Sequence, residues 1–309
     1  MGEPLEPDEL STFTQITGRT EAPSEPADEL MVIAGRRSGK TRAIGTLAAY
    51  LAGCVDHRGV LGPGERGVLP IMAASTLQAV QCYNFVRGIF TNIPRFAALV
   101  GNMTGDCISL KNRIDIQIRP ASFRTIRGIT AIAAIAEECS MWQSDEFGSR
   151  NADKEILDAI RPSLATTGGP LFVIGSPHAR RGEMWKTFSK HYGPQGSSAI
   201  LVANGPTRLF NPTIKEGIIA RAYEEDPQVA AAEWGGQFRN DLESYVSPET
   251  VAACTDAGVV LRAYKSGIHY IAHCDPSGGR QDSFTVAIGH VENGIGILDI
   301  LLERRPPFS

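Results

Sequence analysis

The sequence predicts an α/β protein whose larger, first part is built on a mostly parallel sheet. Three observations predict it. Short apolar runs bounded by turn residues alternate with helix-spaced segments through about residue 205. A Gly-containing loop joins the first of those runs directly to a helix, and a pair of acids closes a later run. The 309 residues are 42% hydrophobic and 21% charged with a mean hydropathy of -0.10, enough apolar surface for one large core or two modest ones.

Taken in order, residues 1–29 form an acidic lead-in rich in Pro and Glu. Glu29 to Ala34 reads as a short buried strand, and Thr41 to Leu51 has the apolar spacing of a helix. Val68 to Ala74 reads as a second strand and Thr76 to Phe90 as a second helix. Asp106 to Ile118 alternates apolar and polar residues as a β-hairpin does. Thr130 to Ala136 and Pro170 to Gly175 complete the strands of a domain placed at residues 30–205. Residues 206–262 read as a helical linker or lid, with helical stretches at Pro212–Glu225 and Pro227–Phe238. A new strand pattern opens at His269–Asp275, followed by Ser283–Val291 and Gly294–Leu302. Three short strands with nothing after them suggest that residues 263–309 are the beginning of a second domain, in a chain truncated inside it.

Composition excludes several classes. No apolar run approaches the roughly 18 residues of a membrane span. The acidic start is unlike a signal peptide, and Glu6 stands where a myristoylation motif needs Ser or Thr. None of the six cysteines falls in a Cys-x-x-Cys pair, so neither a zinc site nor a disulfide framework is expected. Cys274 reads as a buried strand cysteine. The net charge is -4, yet the first thirty residues hold eight acids against Arg19 alone, and the remainder carries +3. Such a balance neither requires nor forbids a DNA partner.

The sharpest local signal is Ala34-Gly35-Arg36-Arg37-Ser38-Gly39-Lys40-Thr41, between a strand and a helix. It matches the phosphate-binding pattern G-x-x-x-x-G-K-[ST] except that Ala34 takes the first glycine's place. Gly39 lets backbone N–H groups face phosphates, the helix N-terminus adds its dipole, and Lys40 reaches the outer phosphates. The Thr41 hydroxyl suits a Mg²⁺ shell. ATP hydrolysis also needs an acidic pair at the end of a neighbouring strand, which Glu137 and Glu138 supply. Glu137 takes the Mg²⁺ role, usually an Asp task, and Glu138 the role of general base. Gly175-Ser176-Pro177, at a third strand tip, is a candidate γ-phosphate sensor or a plain turn. Arg180, Arg181, Lys186 and Lys190 beyond it read equally as DNA-phosphate contacts or a solvated helix face. An arginine must neutralise charge on the transferred phosphoryl. Arg36, Arg37, Arg124 and Arg127 are candidates, with Arg37 and Arg127 preferred.

These segments, in this order, resemble the large subunit of tailed-phage DNA-packaging terminases. The likeness rests on AGRRSGKT, AIAEECSMW, AIRPSLATTGGPLFVIGSPHARRGEMW, NPTI, EDPQVAAAEWGGQFRND and HYIAHCDPSGGRQDSFTVAIGH, and runs from about residue 10 onward. The resemblance implies a P-loop ATPase domain of the ASCE type, followed by an RNase H-like α/β nuclease domain. It implies a motor that hydrolyses ATP with Mg²⁺ to drive double-stranded viral DNA into a procapsid. It also implies a nuclease using Mg²⁺ or Mn²⁺ to cut that DNA. Residue by residue, it gives Lys40 and Thr41 to the phosphates, Glu137 and Glu138 to the acidic pair, and Gly175-Ser176-Pro177 to coupling. Gln15 becomes an adenine contact and Asp275 the first nuclease metal ligand, with Asp282 and Asp299 weaker candidates for others. The remaining nuclease acids are expected after Ser309, so this chain is expected to lack nuclease activity. Implied partners are the portal protein, the terminase small subunit and further copies in a ring on the procapsid, with a monomer in isolation and no membrane. The implied location is the host bacterial cytoplasm, transiently at the portal. A DNA helicase or remodelling ATPase, or an inactive prophage remnant binding only nucleotide or proteins, is the competing reading.

Overall fold

The computed structural model describes residues 4–122, 126, 128–142, 152–239, 248–256, 258–276 and 283–305. Backbone contacts divide the chain into two units: residues 1–144 with 149–243, and residues 145–148 with 244–309.

The larger unit is a three-layer α/β sandwich. Its sheet contains β1 (Glu29–Ala34), β2 (Gly67–Ala73), β3 (Val100–Met103), β4 (Cys107–Leu110), β5 (Ile114–Pro120), β6 (Ala134–Glu137), β7 (Leu171–Gly175) and β8 (Ile200–Gly205). They lie side by side in the order β3-β4-β5-β2-β6-β7-β1-β8. The strands from β5 to β8 in that order are parallel, and β4 and β3 add an antiparallel edge. The predicted hairpin is therefore the β4–β5 pair. β7 intervenes between the strand before the phosphate loop and the strand bearing the acids, which is the arrangement that the ASCE type denotes.

Successive residues of a strand face opposite layers, and the core follows that rule. On one side Phe172 and Ile174 of β7 pack with Leu69, Ile71, Ile114 and Ile116 against α2 (Lys40–Cys54) and α3 (Thr76–Asn92). On the other, Leu171 and Val173 join Met31, Ile33 and Val202. These meet α5 (Ala152–Ala165) and α6 (Gly182–His191) through Ile156, Leu157, Ile160 and Met184. Pro70 is unusual in a central strand because it cannot donate to the ladder. Toward β6, β2 pairs at Val68 with Ala131 and next with β6 itself at Ile71 and Met72, so the ladder is interrupted at Pro70.

The acidic lead-in contains a helix, α1 (Pro7–Thr17), started by a reciprocal Glu6–Glu9 capping box and ended by Gly18 in the left-handed conformation. Buried Arg19 then anchors the segment: one guanidinium nitrogen donates to the carbonyls of His191, Ser197 and Ile200 at 3.3, 2.9 and 2.8 Å. A four-residue turn α4 (Pro94–Ala97) follows α3. Beyond β8 come α7 (Thr207–Phe210), α8 (Glu216–Glu225) and α9 (Pro227–Glu233), all within the larger unit.

The smaller unit has a short helix α10 (Pro248–Ala253) and an antiparallel sheet of β9 (Tyr270–Asp275), β10 (Phe284–Glu292) and β11 (Ile295–Arg304), in the order β11-β10-β9. Cys274, expected to be buried, is exposed, because most of β9 is uncovered. A bulge after Ile288 on β10 inserts Asp299 on β11, whose carboxylate meets the buried His290 ring at 2.6 Å. No helix among the described residues is long and apolar enough to cross a membrane.

Candidate functional site

Parallel β-α units gather the carboxyl ends of their strands on one edge, and ligands bind in the crevice outside those ends. Here three such ends are adjacent. In the register, Ile33 of β1 lies level with Gly175 of β7, and Glu137 of β6 level with Ile174. The loop 35–39, the acidic pair and Ser176 thereby converge.

Lys40 opens α2, and its side chain is 9% exposed. It donates to the Ser176 hydroxyl at 3.0 Å and to the Ala34 carbonyl at 3.4 Å, and stands 3.5 Å from Glu138 Oε1. Thr41 donates its hydroxyl to Glu137 Oε1 at 2.7 Å. Glu138 accepts the Ser176 backbone N–H at 2.8 Å on Oε2. Its own backbone sits at φ 51°, a left-handed conformation uncommon for a side-chain-bearing residue and frequent at functional sites.

The two acids differ in environment. Glu137 is 6% exposed, and its second carboxylate oxygen has no hydrogen-bond partner. Burial pushes its carboxyl above the usual carboxylate range. The Thr41 hydrogen bond pulls it down, the negative charge of Glu138 raises it, and Lys40 lowers it. A buried, unpartnered carboxylate oxygen beside a threonine hydroxyl is a fitting pair of hard oxygen donors for Mg²⁺. Glu138 is half-buried and open to the crevice. Ser38 is buried with its hydroxyl likewise unpartnered.

The substitution at the head of the motif has a local explanation. Ala34 is the last residue of β1 and is fully buried. The glycine that the structure requires is the next one. A Cβ on Gly35 would come within 2.3 Å of the Thr207 hydroxyl and within 2.8 and 2.9 Å of the Trp234 and Glu233 carbonyls. The outer limb of the loop is accordingly tied to residues 204–236. Arg36 N–H donates to the Glu233 carbonyl at 2.6 Å, and its guanidinium pairs with the Glu233 carboxylate. The Arg36 carbonyl accepts from Thr207 at 2.8 Å and the Arg37 carbonyl from Asn211 at 2.7 Å. Thr207, Asn211 and Glu233 escaped the sequence reading, since some 170 to 200 residues separate them from the loop.

Gly175 and the buried Pro177 flank Ser176, and a Cβ on Gly175 would collide with the Met184 methyl at 2.5 Å. The basic residues beyond are dispersed. Arg180 lies over the Trp185 ring at 5.3 Å, Lys186 pairs with Glu183 at 3.0 Å, and Arg181 and Lys190 are exposed. Arg37 is exposed, at φ 61°. Gln15 is exposed on α1, which packs against β8, and no described contact joins it to the loop. Arg124, Arg127 and Asp282 lie outside the described residues.

In the smaller unit Asp275 is exposed at the end of β9. The register sets it level with Thr285, which in turn is level with Glu303. Asp299 lies further along the sheet, buried against His290.

No family model and no curated protein matches the sequence. Solved structures do. The HK97 bacteriophage large terminase is 17% identical with a TM-score of 0.56, the match covering 95% of this chain and 62% of that one. The large terminase ATPase domain of Thermus phage P74-26 is 16% identical with a TM-score of 0.55, over 69% of this chain and 90% of that one. The large terminase of the thermophilic bacteriophage D6E is 11% identical with a TM-score of 0.51, over 98% and 69%. The chain thus spans about six-tenths of the HK97 protein's length. At these identities the likeness is one of fold, and the fold is that of phage large terminases.

Proposed function

We propose that this chain is the ATP-hydrolysing motor part of a phage terminase large subunit, which drives double-stranded viral DNA into a procapsid. The observation that carries the reading is the convergence of Lys40, Thr41, Glu137, Glu138 and Ser176 at the carboxyl ends of three adjacent strands. In it Lys40 holds the outer phosphates of ATP, and Thr41 and Glu137 hold Mg²⁺. Bound there, Mg²⁺ supplies charge neutralisation on the phosphoryl oxygens. Glu138 accepts the proton of the attacking water. Its carboxylate already faces Lys40, so the base and the phosphate-binding cation share one crevice. Ser176 touches both, which suits a segment that senses hydrolysis and passes it to α6. Arg37 remains a finger candidate, and Gln15 an adenine contact.

The smaller unit is proposed to belong to an RNase H-like nuclease that uses Mg²⁺ or Mn²⁺, with exposed Asp275 as a metal ligand. Portal protein, small subunit and neighbouring copies in a ring are proposed partners, met in the host cytoplasm. Arg180, Arg181, Lys186 and Lys190 are proposed to meet DNA phosphates, so that binding weakens with salt.

The test is steady-state ATP hydrolysis with and without double-stranded DNA. Glu138→Gln is expected to cut turnover about 10²–10⁴-fold while nucleotide binding persists. Lys40→Ala is expected to remove both. Turnover unaffected by either substitution would refute the site. Hydrolysis indifferent to DNA would favour a remodelling ATPase with another polymer substrate.

A further inference from the structure

The stretch Asn211-Pro212-Thr213 lies beyond the sheet, at the end of the short helix α7, yet it reaches the phosphate loop. Asn211 Nδ2 donates to the Arg37 carbonyl at 2.7 Å. The orientation of that amide is fixed independently of the loop. Thr213 donates its hydroxyl at 2.6 Å and its backbone N–H at 3.3 Å to Asn211 Oδ1. With the oxygen engaged by two donors, the nitrogen must face an acceptor, and the Arg37 carbonyl is that acceptor. At the start of α7, the fully buried Thr207 donates its hydroxyl to the Arg36 carbonyl at 2.8 Å. Two consecutive loop carbonyls are thus gripped from one helix.

The consequence follows from peptide geometry. In a trans peptide the C=O and the following N–H point in opposite directions. Holding the Arg36 carbonyl toward Thr207 turns the Arg37 N–H away from α7. Holding the Arg37 carbonyl toward Asn211 does the same for the Ser38 N–H. Arg37 stands at φ 61°, a conformation that costs a side-chain-bearing residue and so needs outside support, and Gly39 at φ 91°, which glycine adopts freely; together they arrange successive N–H groups into an anion-binding concavity.

We infer that Thr207 and Asn211 are positioning residues for a polyphosphate: they hold the loop amides toward it while touching only the carbonyl side. The inference rests on the reading of this loop as a nucleotide site. It makes α7 part of the phosphate site without contact to base, ribose or reacting atoms. It also gives the N-P-T stretch a task, with Thr213 aiming the amide of Asn211.

The experiment measures binding of MgADP and of magnesium tripolyphosphate by calorimetry, with ATPase kinetics alongside. The variants are Thr207→Val, which keeps shape and removes the donor, Thr207→Ser, which keeps the donor, and Asn211→Ala. Each donor loss is expected to weaken both ligands by the same factor, about five- to tenfold, the scale of one hydrogen bond. KM for ATP is expected to rise in step, with kcat within about twofold, because the lost bond orients binding groups and no reacting atom. Thr207→Ser is expected to bind like the unaltered chain. Asn211 is only half-buried, so its variant keeps the test available should Thr207→Val fail to fold. Unchanged tripolyphosphate affinity in Asn211→Ala, or a fall in kcat at constant KM, would overturn the inference and leave the nucleotide site standing. Absence of tripolyphosphate and ADP binding by the unaltered chain would remove the nucleotide site and the inference together.

Discussion

Two glycines of one loop are expected to fail for different reasons when given a methyl group. In Gly35→Ala the new Cβ meets the Thr207 hydroxyl at 2.3 Å and two backbone carbonyls at 2.8 and 2.9 Å. The hydroxyl can rotate away only by abandoning the Arg36 carbonyl, and the carbonyls belong to the chain that ends α9. Overpacking of this kind costs about 1–3 kcal/mol, and the broken hydrogen bond adds about 1 kcal/mol. The expected destabilisation is about 2–4 kcal/mol. Gly39 has nothing within 4 Å of its would-be Cβ, and only its φ of 91° penalises a side chain, so Gly39→Ala should cost about 1–2 kcal/mol. Trp142, Trp185 and Trp234 are the protein's three tryptophans and all lie in the larger unit, so urea unfolding followed by their fluorescence reports on that unit. With a slope of about 3 kcal/mol per molar, Gly35→Ala should lower the midpoint by about 1 M and Gly39→Ala by about half that. A Gly35→Ala midpoint within the error of the unaltered chain would refute the reasoning. It would mean that the 204–236 segment does not press on the loop as described.

Two further outcomes are expected. Arg19→Ala strands three carbonyls that one buried guanidinium now serves, and should cost about 2–3 kcal/mol while exposing the chain near Gly18 to limited proteolysis; unchanged stability and protection would count against the anchor. At Asp115 burial is the largest influence and alone would raise the carboxyl, but the two-pronged bond from Arg66, a hydrogen bond from Ser109 and the Arg66 charge together outweigh it and hold the group below the usual range. A lowered folded pKa contributes stability above the unfolded value, and that contribution is lost as pH falls through the folded one. Arg66→Gln should therefore cost about 1 kcal/mol at neutral pH, with the gap from the unaltered chain closing below about pH 4. A pH-independent gap would refute that account.

The interior strands were legible because a parallel sheet covered on both faces writes itself as apolar runs such as VLPIMAA and PLFVIG, whereas the two edge strands, β3 and β8, were not read. The acidic pair and the loop were legible because their spacing is local. What escaped did so for physical reasons. α5 carries Pro162 in its interior, a residue that argues against a helix. α6 is short and strongly charged, so its residues read as a basic cluster or a solvated helix face, and its packing through Met184 was missed. α1 lies within the acidic, Pro-rich lead-in and only one of its residues, Thr17, is buried, so composition did not mark a helix there. Thr207 and Asn211 act through side-chain bonds to distant backbone carbonyls, and a backbone acceptor leaves no residue-type signature at its own position. Asp299 was read as a weak candidate metal ligand, and its burial against His290 was missed because a bulge, which redirects a side chain, has no marker in DILLER.

The strand order has a geometric side. One strand lies between β1 and β6, so their tips stand two strand spacings apart, about 9–10 Å. Lys40 from one side and Glu138 from the other cross that distance by meeting over Ser176, the first residue past β7. No hydrogen-bonded path through the sheet links their strands without crossing β7. The tip of β7 therefore stands between Lys40 and Glu138, and Ser176 bonds both. The chain leaving that tip becomes α6, whose Trp185 and Phe188 rings lie 4.9 and 5.2 Å from Phe238. The chain that carries Ser176 thus runs on without a break from the crevice to the cluster of Trp185, Phe188 and Phe238.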